Sequence, residues 1–170
     1  MNFRTMILAA LGCVAVVAVL FVLVPRLWPA PVDPPVTISA KPGKEAHGSI
    51  DGVRVGTVLT TIARGQSAHG SAISATHEPM TIEGWALTDR NGSPKAVVYR
   101  IDEGTWFQAT YGSARPDVAA FFKNPVLGSS GFVAHVSIAT VATGAHQIHF
   151  AVDTGTQLEP LDDPISLEVH

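Results

Sequence analysis

A two-residue rhythm runs through the C-terminal two thirds of this chain, and it leaves few folds open. In "GFVAHVSIA", Phe132, Ala134, Val136 and Ile138 alternate with Val133, His135 and Ser137. In "HQIHFAV", Ile148, Phe150 and Val152 alternate with Gln147, His149 and Ala151, and "ISLEV" sets Ile165, Leu167 and Val169 on one side. Successive side chains of a strand point to opposite faces of its sheet, so each segment offers one apolar face to a core. "MTIEGWALT", "KAVVYRI" and "TWFQATY" read as further strands, separated by "DRNGSP", with Asn91-Gly92 at its turn, and by "DEG". "VRVGTVLTTIA" supplies one or two more, and "GQSAHGSAISATHE", small and polar, reads as loop. Short strands with one polar face, spaced by turn residues, predict an all-β antiparallel sandwich. No long amphipathic helix supports an α/β alternative.

The other end of the chain obeys a different rule. From Met6 to Val24 no residue is charged, and Pro25, Arg26 and Trp28 follow. A helix needs about 20 apolar residues to cross the hydrocarbon core, so residues 6–28 are expected to form a single transmembrane helix or uncleaved signal anchor behind a short tail, 1–5. A cleaved signal peptide is the rival, although "VPRLWPAP" lacks the small residues of a cleavage site. A lipoprotein signal ending at Cys13 is a third reading, disfavoured because most of the apolar run follows that cysteine. Charge alone does not orient the segment, since Arg4 precedes it and Arg26, Lys41 and Lys44 follow. A short tail ahead of a signal-like run is expected to stay in the cytoplasm, which makes the remainder extracytoplasmic, on the periplasmic side of the inner membrane. Residues 29–47, with prolines at 29, 31, 34, 35 and 42, are expected to form a semi-rigid stalk, and residues 48–170 the folded domain. Cys13 is the only cysteine, so a disulfide framework is excluded. The chain carries 11 Lys and Arg against 14 Asp and Glu, with no basic stripe, which argues against nucleic acid as a partner.

One stretch departs from the strand rhythm. "YGSARPDVAAFF", residues 111–122, places Arg, Pro and Asp together ahead of a helix-like run. Pro116 suits a first helical position, Ser113 or Asp117 is positioned to accept backbone N–H bonds, and Pro125 limits the length. Val118, Phe121 and Phe122 are candidates to plug one end of the fold. Arg115 is within sequence reach of Asp117, and of Asp102 or Asp153 on neighbouring strands.

"GWALTD", "VVYRID", "YGSARPDVAAFF", "SSGF" and "GAHQIHFAVDTG" occur in an order that resembles a bacterial immunoglobulin-like domain of envelope and surface proteins, similar to domains appended to glycosyltransferase-like membrane proteins. The resemblance spans about Gly48 to Gly155, and the block from Tyr111 to Ala119 is its most specific part. It implies an immunoglobulin-like sandwich without the cysteine pair of antibody domains. It also implies that the block is a structural corner and not a catalytic one.

Chemistry finds little footing elsewhere. His146 and His149 lie three apart, which on a strand sends them to opposite faces. His135 and His149 share the polar side of their strands and are candidates for neighbours across a ladder, but zinc wants three or four ligands. "GSSG" at 128–131 lacks the spacing of a nucleophile elbow, and His69 near Ser71 is proximity in sequence alone. Asp102-Glu103 and Asp162-Asp163 are adjacent in turns and point apart. Neither a catalytic residue, nor a metal, nor a cofactor is assigned. The aromatic residues Trp85, Trp106, Phe107, Tyr99 and Tyr111 fall on adjacent candidate strands, and any left outside the core would make a platform for a sugar ring or a protein. The candidate binding residues are therefore Trp85, Trp106, Tyr111, Arg115 and Asp117. The expected function is a non-catalytic, membrane-anchored module for protein interaction or spacing in the envelope. Its expected partners are an envelope protein or a glycan, together with the bilayer through residues 6–28. Carbohydrate binding through exposed aromatics is the alternative, and a hydrolase or metalloenzyme the less favoured third.

Overall fold

The structure, a computed structural model, describes residues 32–61 and 73–170. The expected membrane segment and the start of the expected stalk lie outside the described residues. Among those described, no helix is long and apolar enough to cross a membrane.

The described residues form an all-β unit of mainly antiparallel strands with one short α-helix. In chain order the strands are β1 (Pro35–Val36), β2 (Lys41–Pro42), β3 (His47–Val55), β4 (Val58–Thr61), β5 (Ile73–Ala75), β6 (Met80–Leu87), β7 (Ala96–Ile101), β8 (Trp106–Gln108) and β9 (Thr110–Ser113). Helix α1 (Pro116–Phe121) and a 3-10 turn (Pro125–Ser129) come next, then β10 (Gly131–Val136), β11 (Gly144–Asp153) and β12 (Gln157–Val169). One sheet runs β1-β8-β7-β11-β12-β2, with β5 also on β12; the second runs β4-β3-β6-β10-β9.

The alternation places the side chains as the rhythm requires. Phe132, Ala134, Val136 and Ile138 are buried, and so are Ile148, Phe150, Val152, Ile165, Leu167 and Val169. They meet Ile50, Val53, Met80, Ile82, Val97 and Tyr99 in one core fed by both sheets. Phe132 of the second sheet packs on Phe150 of the first at 5.4 Å between ring centroids, and Phe150 on Tyr99 at 5.6 Å. At about 25 cal/mol per Å² of apolar surface removed from water, this shared core is the dominant stabilising term of a unit that has no disulfide. Asn91 and Asp102 take positive φ in the two turns that the sequence marks, at 56° and 49°.

Four departures from expectation have physical causes. "TWFQATY" is not one strand: β8 pairs with β7 in the first sheet, while β9 pairs with β10 in the second. The chain changes sheet at Ala109, which is buried and donates its N–H to Val97 O; a small residue suits such a corner. Ile73–Ala75, read as loop, runs parallel to the end of β12 because that strand has a free edge there. Residues 33–46, read as stalk, are extended, but they belong to the folded unit, which begins at Val32. Pro34 O accepts from Gln108 N, and Gly43 and Ala46 donate to Leu158 and Pro160. Prolines lack a donor yet keep their carbonyls, so they serve at a sheet edge as well as in a stalk. Finally, His135 and His149 are not ladder neighbours. His135 pairs with Thr81 in the second sheet and His149 with Arg100 in the first, each on the side away from the shared core.

Candidate functional site

Four of the five candidate residues converge at one end of the second sheet. Trp85, on the face of β6 away from the main core, packs edge-on against Phe122 at 5.9 Å. Together with Leu87, Val118 and Leu127 they form a small second cluster beneath α1 and the 3-10 turn. Tyr111 is half-buried on β9 and donates its hydroxyl hydrogen to Ala86 O at 3.1 Å. Burial raises its phenol pKa above the ordinary value.

Arg115 is the hub of the corner. Its guanidinium grips Asp117 with two hydrogen bonds, Nε to Oδ1 at 3.0 Å and Nη2 to Oδ2 at 2.9 Å. A third, from Nη1, reaches Asp51 Oδ2 at 2.5 Å. Asp102 and Asp153, the other partners within sequence reach, are engaged elsewhere: Asp102 with His146 and Gln147, Asp153 with Gly155 and Lys95. Asp51 reaches the arginine because β3 carries a bulge between Ile50 and Gly52, and an extra residue re-aims a side chain. The Arg115 hydrogen bonds hold the Asp117 carboxyl well below the usual carboxylate range. The N-cap position of α1 is Arg115, whose side chain makes no capping hydrogen bond, while Asp117 in the first turn accepts from the backbone N–H groups of Asp117 and Val118, as expected for one of the two candidates. The backbone of Arg115 is tied to the 3-10 turn, its N–H donating to Gly128 O at 2.7 Å.

The corner ends in an apolar knob. Val118 is buried and Phe122 half-buried, but Phe121, expected to plug the fold, is 78% exposed and Val126 76% exposed. Phe121 stands edge-on to Phe122 at 5.0 Å, so the aromatic row runs from Trp85 outward into solvent.

Trp106 stands apart, on the outer face of the first sheet. It is half-buried under the guanidinium of Arg100, 4.7 Å from its ring centroid. Beside it lie Ala96, Val98, Ala151 and Leu158, partly covered by Val36 and Ile38 of the N-terminal segment. The two tryptophans are thus neither both buried nor an exposed flat pair. Arg100 and Phe121 were not legible as site residues: an arginine in a strand and a phenylalanine in a helix acquire meaning only from what lies beside them.

Among the described residues no group of three or more His, Cys, Asp or Glu is placed to hold a metal ion. His146 binds Asp102 Oδ2 through Nδ1 at 2.7 Å and Ala142 O through Nε2 at 2.9 Å. Both ring nitrogens therefore face acceptors, which favours the imidazolium and leaves no free nitrogen to act as a base. The Asp102 hydrogen bond raises the His146 pKa, and the same bond lowers that of Asp102. A second cluster joins the N-terminal segment to both sheets. Asp33, buried, accepts from His135 N at 2.7 Å, and the Tyr99 hydroxyl donates to His135 O at 2.9 Å. Desolvation raises the pKa of both Asp33 and Tyr99.

No protein-family model matches the chain, and no curated protein matches it. Among solved structures, the endo-beta-1,4-mannanase from Thermotoga petrophila is similar over 75% of this chain at 8% sequence identity, with a TM-score of 0.43. The chain spans 20% of that protein's length. A likeness at that level determines neither fold family nor activity.

Proposed function

We propose that this chain is a non-catalytic, membrane-anchored module of the bacterial envelope, immunoglobulin-like in fold, whose folded unit works outside the cytoplasm by binding a partner envelope protein. Residues 6–28 are the anchor in this reading. The observation that carries it is the knob of Phe121 and Val126, two large apolar side chains left in water on a corner fixed by Arg115, Asp51 and Asp117. Interfaces draw their energy from aromatic anchors held rigid before binding, because little side-chain freedom is then lost on association. The ion-paired hub supplies that rigidity, and the row Trp85–Phe122–Phe121 supplies the anchor.

The test is site-specific photocrosslinking of the full chain in its own cells. A probe at position 121 is expected to capture an envelope protein, and a probe at exposed Glu103 is not. Val126→Asp is expected to abolish the capture without altering the thermal stability. Equal capture from both positions, or none from 121, would remove the reading.

A second reading, carbohydrate binding, is favoured by one observation: a recess of about 180 Å³ beside Trp106, lined also by Arg100, His149, Leu158 and Pro160.

A further inference from the structure

We propose that the recess beside Trp106 is a binding site for a carboxylate-bearing sugar, a uronic acid unit of an acidic glycan; this rests on the carbohydrate reading and narrows it. The recess is too small for a chain of sugars and suits a single ring. Its floor is apolar, made by Ala151, Leu158 and Pro160, while Arg100 and His149 supply the polar side chains. Among its lining residues there is no carboxylate, and Arg100 is a fixed cation whose present partner, Glu103, lies outside the lining.

Trp106 does not offer a bare ring for stacking, because the Arg100 guanidinium already covers it. That arrangement disfavours a neutral sugar held by ring stacking alone and favours an anionic one. Arginine stacked on tryptophan is a fixed, planar donor, and such a fork matches a carboxylate. Arg100 is also incompletely used. Nη1 binds Glu103 at 2.6 Å, but Nε is buried and has no hydrogen-bond partner among the described residues. A buried donor left unpaired is unfavourable, and a turn of the guanidinium toward an acceptor in the recess relieves it. Glu103 itself is 83% exposed in its side chain, so the carboxylate now on Arg100 sits in solvent and a ligand carboxylate competes with it directly. The ring N–H of His149, opposite Arg100 in the ladder, is the second donor on the same side.

The experiment is calorimetric titration of the detergent-solubilised full chain with digalacturonate, with the neutral digalactoside, and with sodium acetate. Digalacturonate is expected to bind at least ten-fold more tightly than either control and to change the tryptophan fluorescence, a change that Trp106→Phe removes and Trp85→Phe keeps. Arg100→Gln is expected to weaken binding by ten-fold or more. Should that variant unfold, Glu103→Gln decides: removing the exposed competitor is expected to tighten digalacturonate binding by about threefold. Equal binding of the neutral disaccharide overturns the acidic class and leaves the carbohydrate reading standing. Equal binding of acetate overturns the sugar and keeps only an anion site. No binding by any probe at millimolar concentration overturns both readings, whereas digalacturonate binding that is indifferent to Glu103→Gln and Arg100→Gln overturns the recess as the site and leaves the carbohydrate reading standing.

Discussion

Replacing Arg115 by methionine tests whether the corner is held by its ion pairs. The change keeps the apolar stem and deletes three hydrogen bonds, two to Asp117 and one to Asp51. The arginine side chain is 15% exposed, whereas Asp51 and Asp117 are 35% and 36% exposed. The two carboxylates therefore regain water when the arginine goes, and the 3–5 kcal/mol penalty of a stranded buried charge does not apply (roughly, from buried pairs). Fully exposed pairs contribute about 0.2–1 kcal/mol each. A bidentate pair plus a second pair, with one partner largely buried, falls between these limits at about 2 kcal/mol. For a folded unit of this size that loss lowers the melting temperature by about 6–10 °C. Urea denaturation of the full chain, followed by the fluorescence of the nearby Trp85, measures it. The pH dependence supplies an internal check. Asp117 has a depressed folded pKa, so its contribution is present above the unfolded value of about 3.9 and is lost as pH falls through the folded one. The gap between wild type and variant is expected to be full at pH 7 and to narrow below about pH 4. A loss under about 0.5 kcal/mol at pH 7 would refute the reasoning, leaving the cluster under α1 to hold the corner alone.

Three further perturbations isolate single features. At Gly84 an added Cβ meets Ser49 O at 2.3 Å and the Phe132 ring at 3.0 Å, whereas at Gly128 the nearest atom is 3.9 Å away. Gly84→Ala is therefore expected to destabilise by about 2–3 kcal/mol in urea denaturation, and Gly128→Ala to fall within about 0.5 kcal/mol of wild type. His146 has a raised folded pKa, so its contribution is fully present below about pH 6.5 and is lost as pH rises through the folded value; Asp102→Asn is expected to bring the NMR-monitored His146 pKa back toward about 6.5. An unmoved titration would show that the Asp102 contact does not persist in solution. Asp33→Asn keeps an acceptor for His135 N and removes a desolvated charge, so the melting temperature is expected to hold or rise; a loss above about 1 kcal/mol would mean that the charge itself is stabilising.

What the sequence determined by itself is which side of each strand is wet. A side chain's face follows from parity along its own strand, and no distant residue enters that rule. Phe132 and Ile138 go inward and His135 outward for this reason, and Asn91 makes its turn by its own tolerance of positive φ. The block at 111–122 is likewise recognisable as a corner from Pro116 and Pro125, which act on local backbone. Tertiary structure decided everything that depends on which strands are neighbours. Parity is silent on sheet membership, so His135 and His149 read alike and lie on different sheets, and the break at Ala109 is invisible within "TWFQATY". Arg115 chose Asp51, 64 residues away, because a bulge in β3 turned that carboxylate toward it. Phe121 and Phe122 are adjacent and chemically identical, yet one is packed on Trp85 and the other stands in water, since only one helical direction faces the sheet. The same holds for Arg100 over Trp106, a contact between two strands joined by a short turn. Local chemistry sets orientation; the long-range pairing of strands, which pays chain entropy to bring distant residues together, sets the sites.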